Sequence, residues 1–252
     1  MKTPYNSSII PAFLLFFLSF TLQAQTATGI LDNYIKKSGG VKAWQKVKAI
    51  TMKATINQDE ETIPVDIYST ASGKQALVLN FPGRDITQMA FDGDTYWTTN
   101  FETLEPIKAS DEMVNNMRQS ADDFPIPALN YRKNGYTIAF MGMETKNGAE
   151  TYKVKVIQQP ISVNGTKVPN ESYYYFDTST YLPVAVESLQ PDGRVNRVNM
   201  DDYQQVEGLY FPFSINQDGL AISVKSIEVN PEIESSVFTF PQKKKDEEEG
   251  NN

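Results

Sequence analysis

Beyond residue 49 the hydrophobic pattern of this chain has a period of two. Ile50, Met52, Ala54 and Ile56 alternate with Thr51, Lys53, Thr55 and Asn57. Ile63, Val65 and Ile67 alternate with Pro64, Asp66 and Tyr68, and Leu77, Leu79 and Phe81 share a face. This is the pattern of half-buried strands, whose successive side chains point to opposite sides of a sheet. Asp59-Glu60-Glu61 and Ser72-Gly73 break the runs as turns. The pattern continues at 86–91 and 95–99 and returns from 136 onward, punctuated by Asn147-Gly148, Pro191-Asp192-Gly193 and Asp218-Gly219. The chain is therefore mainly β, an antiparallel meander of about ten or eleven strands, too many to stay flat without curling.

Two segments depart from that period. TGILDNYIKKSGGVKAWQKVKAI predicts a helix with Thr28 as its cap and Ile30, Leu31, Tyr34 and Ile35 on one face. Lys36 and Lys37 suit its last turn, Ser38-Gly39-Gly40 stops it, and Val41, Trp44 and Val47 continue the apolar stripe in a second short helix. Residues 110–123 predict another helix, capped by Ser110, with Met113, Val114 and Met117 as a narrow stripe. FPIPALN follows, where Pro125 and Pro127 preclude regular helix or central strand. So apolar a segment between sheet halves reads as a lid.

Composition places this sheet outside the cytoplasm. Lys2 and the apolar run IIPAFLLFFLSFTL, ending near Ala24, form a secretory signal over 1–24. Pro11 interrupts the run, which falls short of the roughly 20 residues a bilayer span needs. Cleavage removes one lysine and no acid, taking the formal net charge from −8 to −9. There is no cysteine, so neither disulfides nor a lipidated N-terminus is expected, and the exported protein should be soluble in the periplasm. Hydrophobic residues make up 40% of the 252, enough for a core large enough to do without disulfides. One domain is expected over 25–241, followed by a disordered charged tail at 242–252 (QKKKDEEEGNN).

The same inventory removes most chemistry. The acidic balance argues against nucleic acid, which requires clustered Lys and Arg. With no histidine and no cysteine, the usual general base, thiolate nucleophile and zinc ligands are missing. No glycine-rich phosphate loop is present. The acid pairs Asp111-Glu112, Asp122-Asp123 and Asp201-Asp202 read as solvated or capping groups; extended neighbours such as Asp201 and Asp202 point to opposite faces. Asn164 and Asn170 open weak glycosylation triplets. No enzyme activity, cofactor or metal is expected.

Aromatic residues remain to be explained. In ESYYYFDTSTYLP, Tyr173 and Tyr175 face one way and Tyr174 and Phe176 the other; in GLYFPFSI, Leu209, Phe211 and Phe213 share one face. A curled sheet has a concave side that one helix pair cannot fill, and each aromatic brings about 150–250 Å² that water should not reach. Helices, the 125–129 segment or an apolar guest must cover it.

In order and spacing, several of these motifs resemble the LolA-type outer-membrane lipoprotein-sorting proteins, in the form common in Bacteroidota. They are the signal and SGG helix, ASGK before a hydrophobic strand, MAFDGDTYW, DTSTYLPVAVES, DYQQVEGLYFPFSI and IESSVFTFP. The most specific are the Asp92-Gly93 turn with Trp97 four residues on, and the ending Phe238-Thr239-Phe240-Pro241. The resemblance implies a half-open β-barrel with helices across its mouth, and a periplasmic carrier that shields lipoprotein acyl chains, or other lipids, in an apolar cavity. It also implies handover between inner- and outer-membrane partners, and neither cofactor nor reaction. Where proteobacterial carriers have an arginine-proline pair and an aromatic, Ala71, Ser72 and Gln75 stand here, so the resemblance carries lipid binding further than handover. The expected lipid contacts are Met52, Ile67, Leu77, Leu79, Trp97 and Phe213, with Met113, Met117 and 125–129, including Leu129, as lid. The rival reading is a non-enzymatic envelope sensor or adaptor that docks a protein on an exposed aromatic strand.

Overall fold

The computed structural model describes residues 25–58 and 61–241. The expected signal segment 1–24, the Asp59-Glu60 part of the first turn and the tail 242–252 lie outside the described residues. Helix α1 (Ala27–Lys37) begins two residues earlier than the pattern suggested: Thr26, not Thr28, is the cap, its hydroxyl accepting from the Gly29 amide at 3.0 Å. The reason is Ala27, which is buried with Ile30, Leu31 and Ile35 and so belongs to the packed face. Helix α2 (Val41–Trp44) follows.

Strands β1 (Ala49–Gln58), β2 (Glu61–Thr70), β3 (Gln75–Phe81), β4 (Arg84–Phe91), β5 (Tyr96–Thr99) and β6 (Pro106–Lys108) meander outward from the middle of the sheet. Helices α3 (Asp111–Ala121) and α4 (Pro127–Asn130) then carry the chain from one edge of the sheet to the other. From that edge β7 (Thr137–Lys146), β8 (Ala149–Val163), β9 (Thr166–Asp177), β10 (Pro183–Leu189), β11 (Val195–Val206), β12 (Leu209–Gln217) and β13 (Leu220–Val229) meander back until β13 pairs with β1. The result is one antiparallel sheet of thirteen strands, not closed into a barrel, with helices spanning the gap between its edges.

Prolines within strands sit where a ladder has ended. Pro64 pairs with Thr55 of β1, but the β2–β3 ladder starts only at Val65, so the missing amide is not needed there. Pro212 is placed likewise, because β12 pairs with β13 only from Ser214 to Gln217. The free side of Leu209–Phe213 is taken by the helical N-terminus. The Tyr210 amide donates to the Ser38 carbonyl at 2.9 Å. Trp44 stacks edge-on against Phe211 at 5.3 Å, and its indole N–H donates to Ser38 Oγ at 2.9 Å. Gly39 makes that approach possible. At φ 133°, a Cβ there would lie 2.6 Å from Leu209 Cδ2 and 2.8 Å from the Gly208 carbonyl oxygen.

Helix α3 is pinned at both sides of the gap. Glu112 accepts from the Asn164 and Gly165 amides at 2.9 and 2.7 Å, and Asn116 exchanges two hydrogen bonds with the Ser162 backbone. Arg118 donates to the Gly93 carbonyl and to Asp94, both at 3.0 Å. Pro127 occupies the first position of α4, where a proline's missing amide and fixed φ are tolerated, so the loop expected there contains a helical turn.

Candidate functional site

Register decides which side chains face inward. Met52, Ile67 and Leu77 lie in one cross-strand row, and Ala54, Val65 and Leu79 in the next row on the same side. On the other half of the sheet the rows are Val154–Tyr174–Val186–Val198 and Val156–Ser172–Ser188–Asn196. The concave faces of both halves converge beneath α1 and α4.

Between them lies a cavity of about 400 Å³, within the roughly 300–1,000 Å³ usual for small-molecule sites. Ile50, Met52, Ile67 and Ser69 form one wall. Val156, Tyr174, Phe176, Val186 and Met200 form the opposite wall. Leu31, Tyr34 and Trp44 enter from the N-terminal helices, Tyr210–Pro212 from β12, and the run from Phe124 to Ala128 closes another side. Among the described residues, none that lines the cavity is Asp, Glu, Lys or Arg. Polarity comes from tyrosines. Tyr203 donates to the Pro183 carbonyl at 2.7 Å, while the Tyr131 hydroxyl is buried without a partner among the described residues. Burial pushes the phenols of Tyr34, Tyr174 and Tyr203 well above the ordinary tyrosine range, so they stay neutral at any physiological pH.

The expected contacts distribute unevenly. Met52 and Ile67 line the cavity. Leu77 and Phe213 lie partly buried against the main core, and Leu79 is buried within it, all without reaching the cavity lining. Leu129 packs on the same core, while its neighbours Pro127 and Ala128 take the lining positions. Met113 is 48% exposed and Met117 half-buried, and neither borders the cavity.

Trp97 points the other way. It continues the row Tyr68–Ala76–Ala90 on the side opposite Leu77. There its indole N–H donates to the Phe238 carbonyl at 3.2 Å, and its ring meets Phe240 edge-on at 5.9 Å. The two motifs that most resemble the sorting proteins thus pack on each other, outside the cavity. The strand a docking partner would need is also interior, with Leu209 and Phe211 only 2% and 7% exposed.

The period-two reading of the tyrosine strand holds on both faces. Tyr174 and Phe176 face the cavity, while Tyr175 is buried on the convex side under Lys146 and Lys153. Its hydroxyl donates to Glu187 at 2.7 Å, and Glu187 also accepts from Lys146 and from Arg197. Burial alone would raise the Glu187 carboxyl, but those three donors outweigh it and hold it down at about 2. Among the acid pairs, Asp201 and Asp202 are both exposed, with Asp202 at φ 49° rather than extended. Asp123 accepts from Tyr136 at 2.8 Å and from Gln158.

No family model and no curated protein sequence matches the chain. Solved structures share its architecture. A LolA superfamily protein from Nitrosomonas europaea aligns at 16% identity over 86% of this chain and 98% of its own, with a TM-score of 0.54. A domain described as an outer membrane lipoprotein-sorting protein, from Vibrio parahaemolyticus, aligns at 14% identity over 84% and 95%, with a TM-score of 0.51. A DUF1329 family protein from Desulfovibrio piger aligns at 12% identity over 84% and 97%, with a TM-score of 0.50. A curved, unclosed sheet with helices across its mouth is therefore the fold this chain shares with LolA superfamily and lipoprotein-sorting structures.

Proposed function

We propose that this protein is a periplasmic carrier that holds a lipid acyl chain in the cavity between its sheet halves, in the service of outer-membrane lipoprotein or lipid transport. The carrying observation is an apolar cavity of about 400 Å³ without one charged side chain in its wall. Water gains little there. At about 30 Å³ per methylene-sized group, a water molecule's share of the liquid, the space suits one hydrocarbon chain of about a dozen carbons. Each methylene moved from water contributes about 0.8 kcal/mol, so a chain of that length is held without any head-group contact.

Entry and release follow from the wall that the sheet does not provide. Residues 124–128 close the cavity through apolar contacts, flanked by α3, whose anchors to Ser162, Asn164 and Gly93 are all polar. Movement of 124–128 opens the cavity while the sheet stays intact. Delivery then requires an acceptor that binds the emptied carrier better than the loaded one. The sequence carries the periplasmic part of the proposal through its signal segment, and the shared fold supports the carrier part. The same wall supports a carrier rather than a catalyst, since it offers no acid, base or nucleophile beyond neutral phenols.

Uptake of a fluorescent fatty acid by the delipidated mature chain tests this. One probe per molecule, displaced by unlabelled acyl lipid, is expected. Absence of uptake with the fold intact overturns it.

A further inference from the structure

The concave wall is not uniformly apolar, and the change of character runs along single strands. Inward positions on β9 read Phe176, Tyr174, Ser172, Asn170, and on β10 Val186, Ser188. Tyr174 borders both the apolar cavity and a second, polar cleft of about 500 Å³. That cleft is lined largely by neutral hydrogen-bonding groups, among them Gln119, Asn134, Gln158, Asn170, Ser172 and Ser188. Its charged residues are Asp122, Asp123 and Lys133, two carboxylates against one ammonium.

Three side-chain polar atoms are buried without a hydrogen-bond partner among the described residues: Tyr131 OH, Gln119 Oε1 and Asn196 Oδ1. All three fall along this gradient. Tyr131 lines the apolar cavity, Gln119 lines the polar cleft, and Asn196 is the cross-strand neighbour of Ser188 in the row that ends there. Native interiors leave few such groups unsatisfied, and a run of them beside a cleft calls for a partner the protein does not itself supply. Two are amide acceptors, which need a donor; the third is a phenol able to donate to a carbonyl.

From this we infer that the guest is an amphiphile with a single acyl chain and an uncharged, hydroxyl-bearing head, the chain filling the apolar cavity and the head lying in the polar cleft past Tyr174. The inference rests on the carrier reading and narrows it. An ester carbonyl near the start of the chain accepts from Tyr131, and a head hydroxyl donates to Gln119. A phosphate or carboxylate head meets an excess of acid at Asp122 and Asp123 and no guanidinium among the cleft's lining residues.

The test compares three probes with the same dodecyl-length chain, namely 1-monododecanoylglycerol, dodecanoate and dodecyl phosphate, as competitors for a bound fluorescent fatty acid at neutral pH. The glycerol ester should compete about tenfold better than either anion. Gln119→Leu should weaken the glycerol ester severalfold while leaving dodecanoate unchanged, which also shows that the cavity in the variant is intact. Equal competition by all three probes, or preference for an anion, overturns the head-group assignment and leaves the carrier standing. Equal weakening of all probes by the substitution overturns it as well. Failure of the wild-type chain to take up any probe overturns the carrier reading, and this inference with it.

Discussion

Val186→Trp isolates the cavity from the rest of the fold. Val186 lies in the inward row with Tyr174 and borders the empty space, so a larger apolar side chain grows into the cavity rather than into packed neighbours. The substitution adds about seven heavy atoms, about half of the dozen methylene-sized groups the cavity holds. At about 0.8 kcal/mol per methylene no longer buried, a chain that fits the wild type loses about 5 kcal/mol, a weakening of several thousandfold at about 1.4 kcal/mol per decade. A hexyl chain, which never fills the cavity, loses little. Competition binding across a series of chain lengths measures this, with thermal melting alongside. The melting temperature should hold or rise, because the indole fills apolar space. Unchanged affinity for long chains in a folded Val186→Trp protein would refute the placement of the chain in this cavity.

Further outcomes follow from residues remote from the cavity. Trp97→Phe removes the hydrogen bond to the Phe238 carbonyl and part of the convex cluster, lowering stability by about 1–3 kcal/mol in urea unfolding. Lipid uptake should stay at the wild-type level; a large loss would mean that the indole reaches the guest. Glu187 is a carboxylate whose folded-state pKa is depressed to about 2. Its contribution is present above about pH 4.5 and is lost as pH falls toward 2, amounting to about 2 kcal/mol once the half-exposed Arg197 partner is discounted. The acid limb of a stability-versus-pH curve should therefore be flatter in Glu187→Gln between pH 5 and 2.5, and an identical limb would contradict the assignment.

Much of the architecture was legible because a half-buried strand cannot hide its alternation. β1 to β3, the hairpins at Asn147-Gly148 and Asp218-Gly219, and the opposed faces of Tyr174 and Tyr175 all follow from it. What escaped has a physical reason in each case. Pro106–Lys108 is a three-residue edge strand, too short to show a period. The β8–β9 hairpin runs through Asn164-Gly165, but Gln159-Pro160 and Lys167 to Asn170 are largely polar, so the two strands extend well past 158 and before 171, where the alternation fades.

The site was less legible. Alternation separates two faces but does not say which is concave, and around Trp97 both faces are apolar: Leu77 lies inside, while Ala76 and Ala90 lie outside under Phe238. Phe176, Val186, Met200 and Tyr203 border the cavity because the register of β9 to β11 brings them together, and Tyr34 joins them from α1. Of the segment expected as a lid, residues 125–128 line the space with their prolines and apolar side chains. Helix α3 instead turns Met113 outward and spends its polar groups on anchoring.

The central claim is that the space beneath the helices is occupied by a hydrocarbon chain in the working protein. Native mass spectrometry of the mature chain, purified from a bacterial envelope before and after delipidation, tests it most directly. The account predicts one acyl-bearing lipid per molecule, stripped by delipidation, restored on re-exposure to acyl lipid, and absent from Val186→Trp. The bare polypeptide mass in every preparation, with no lipid regained, would contradict it.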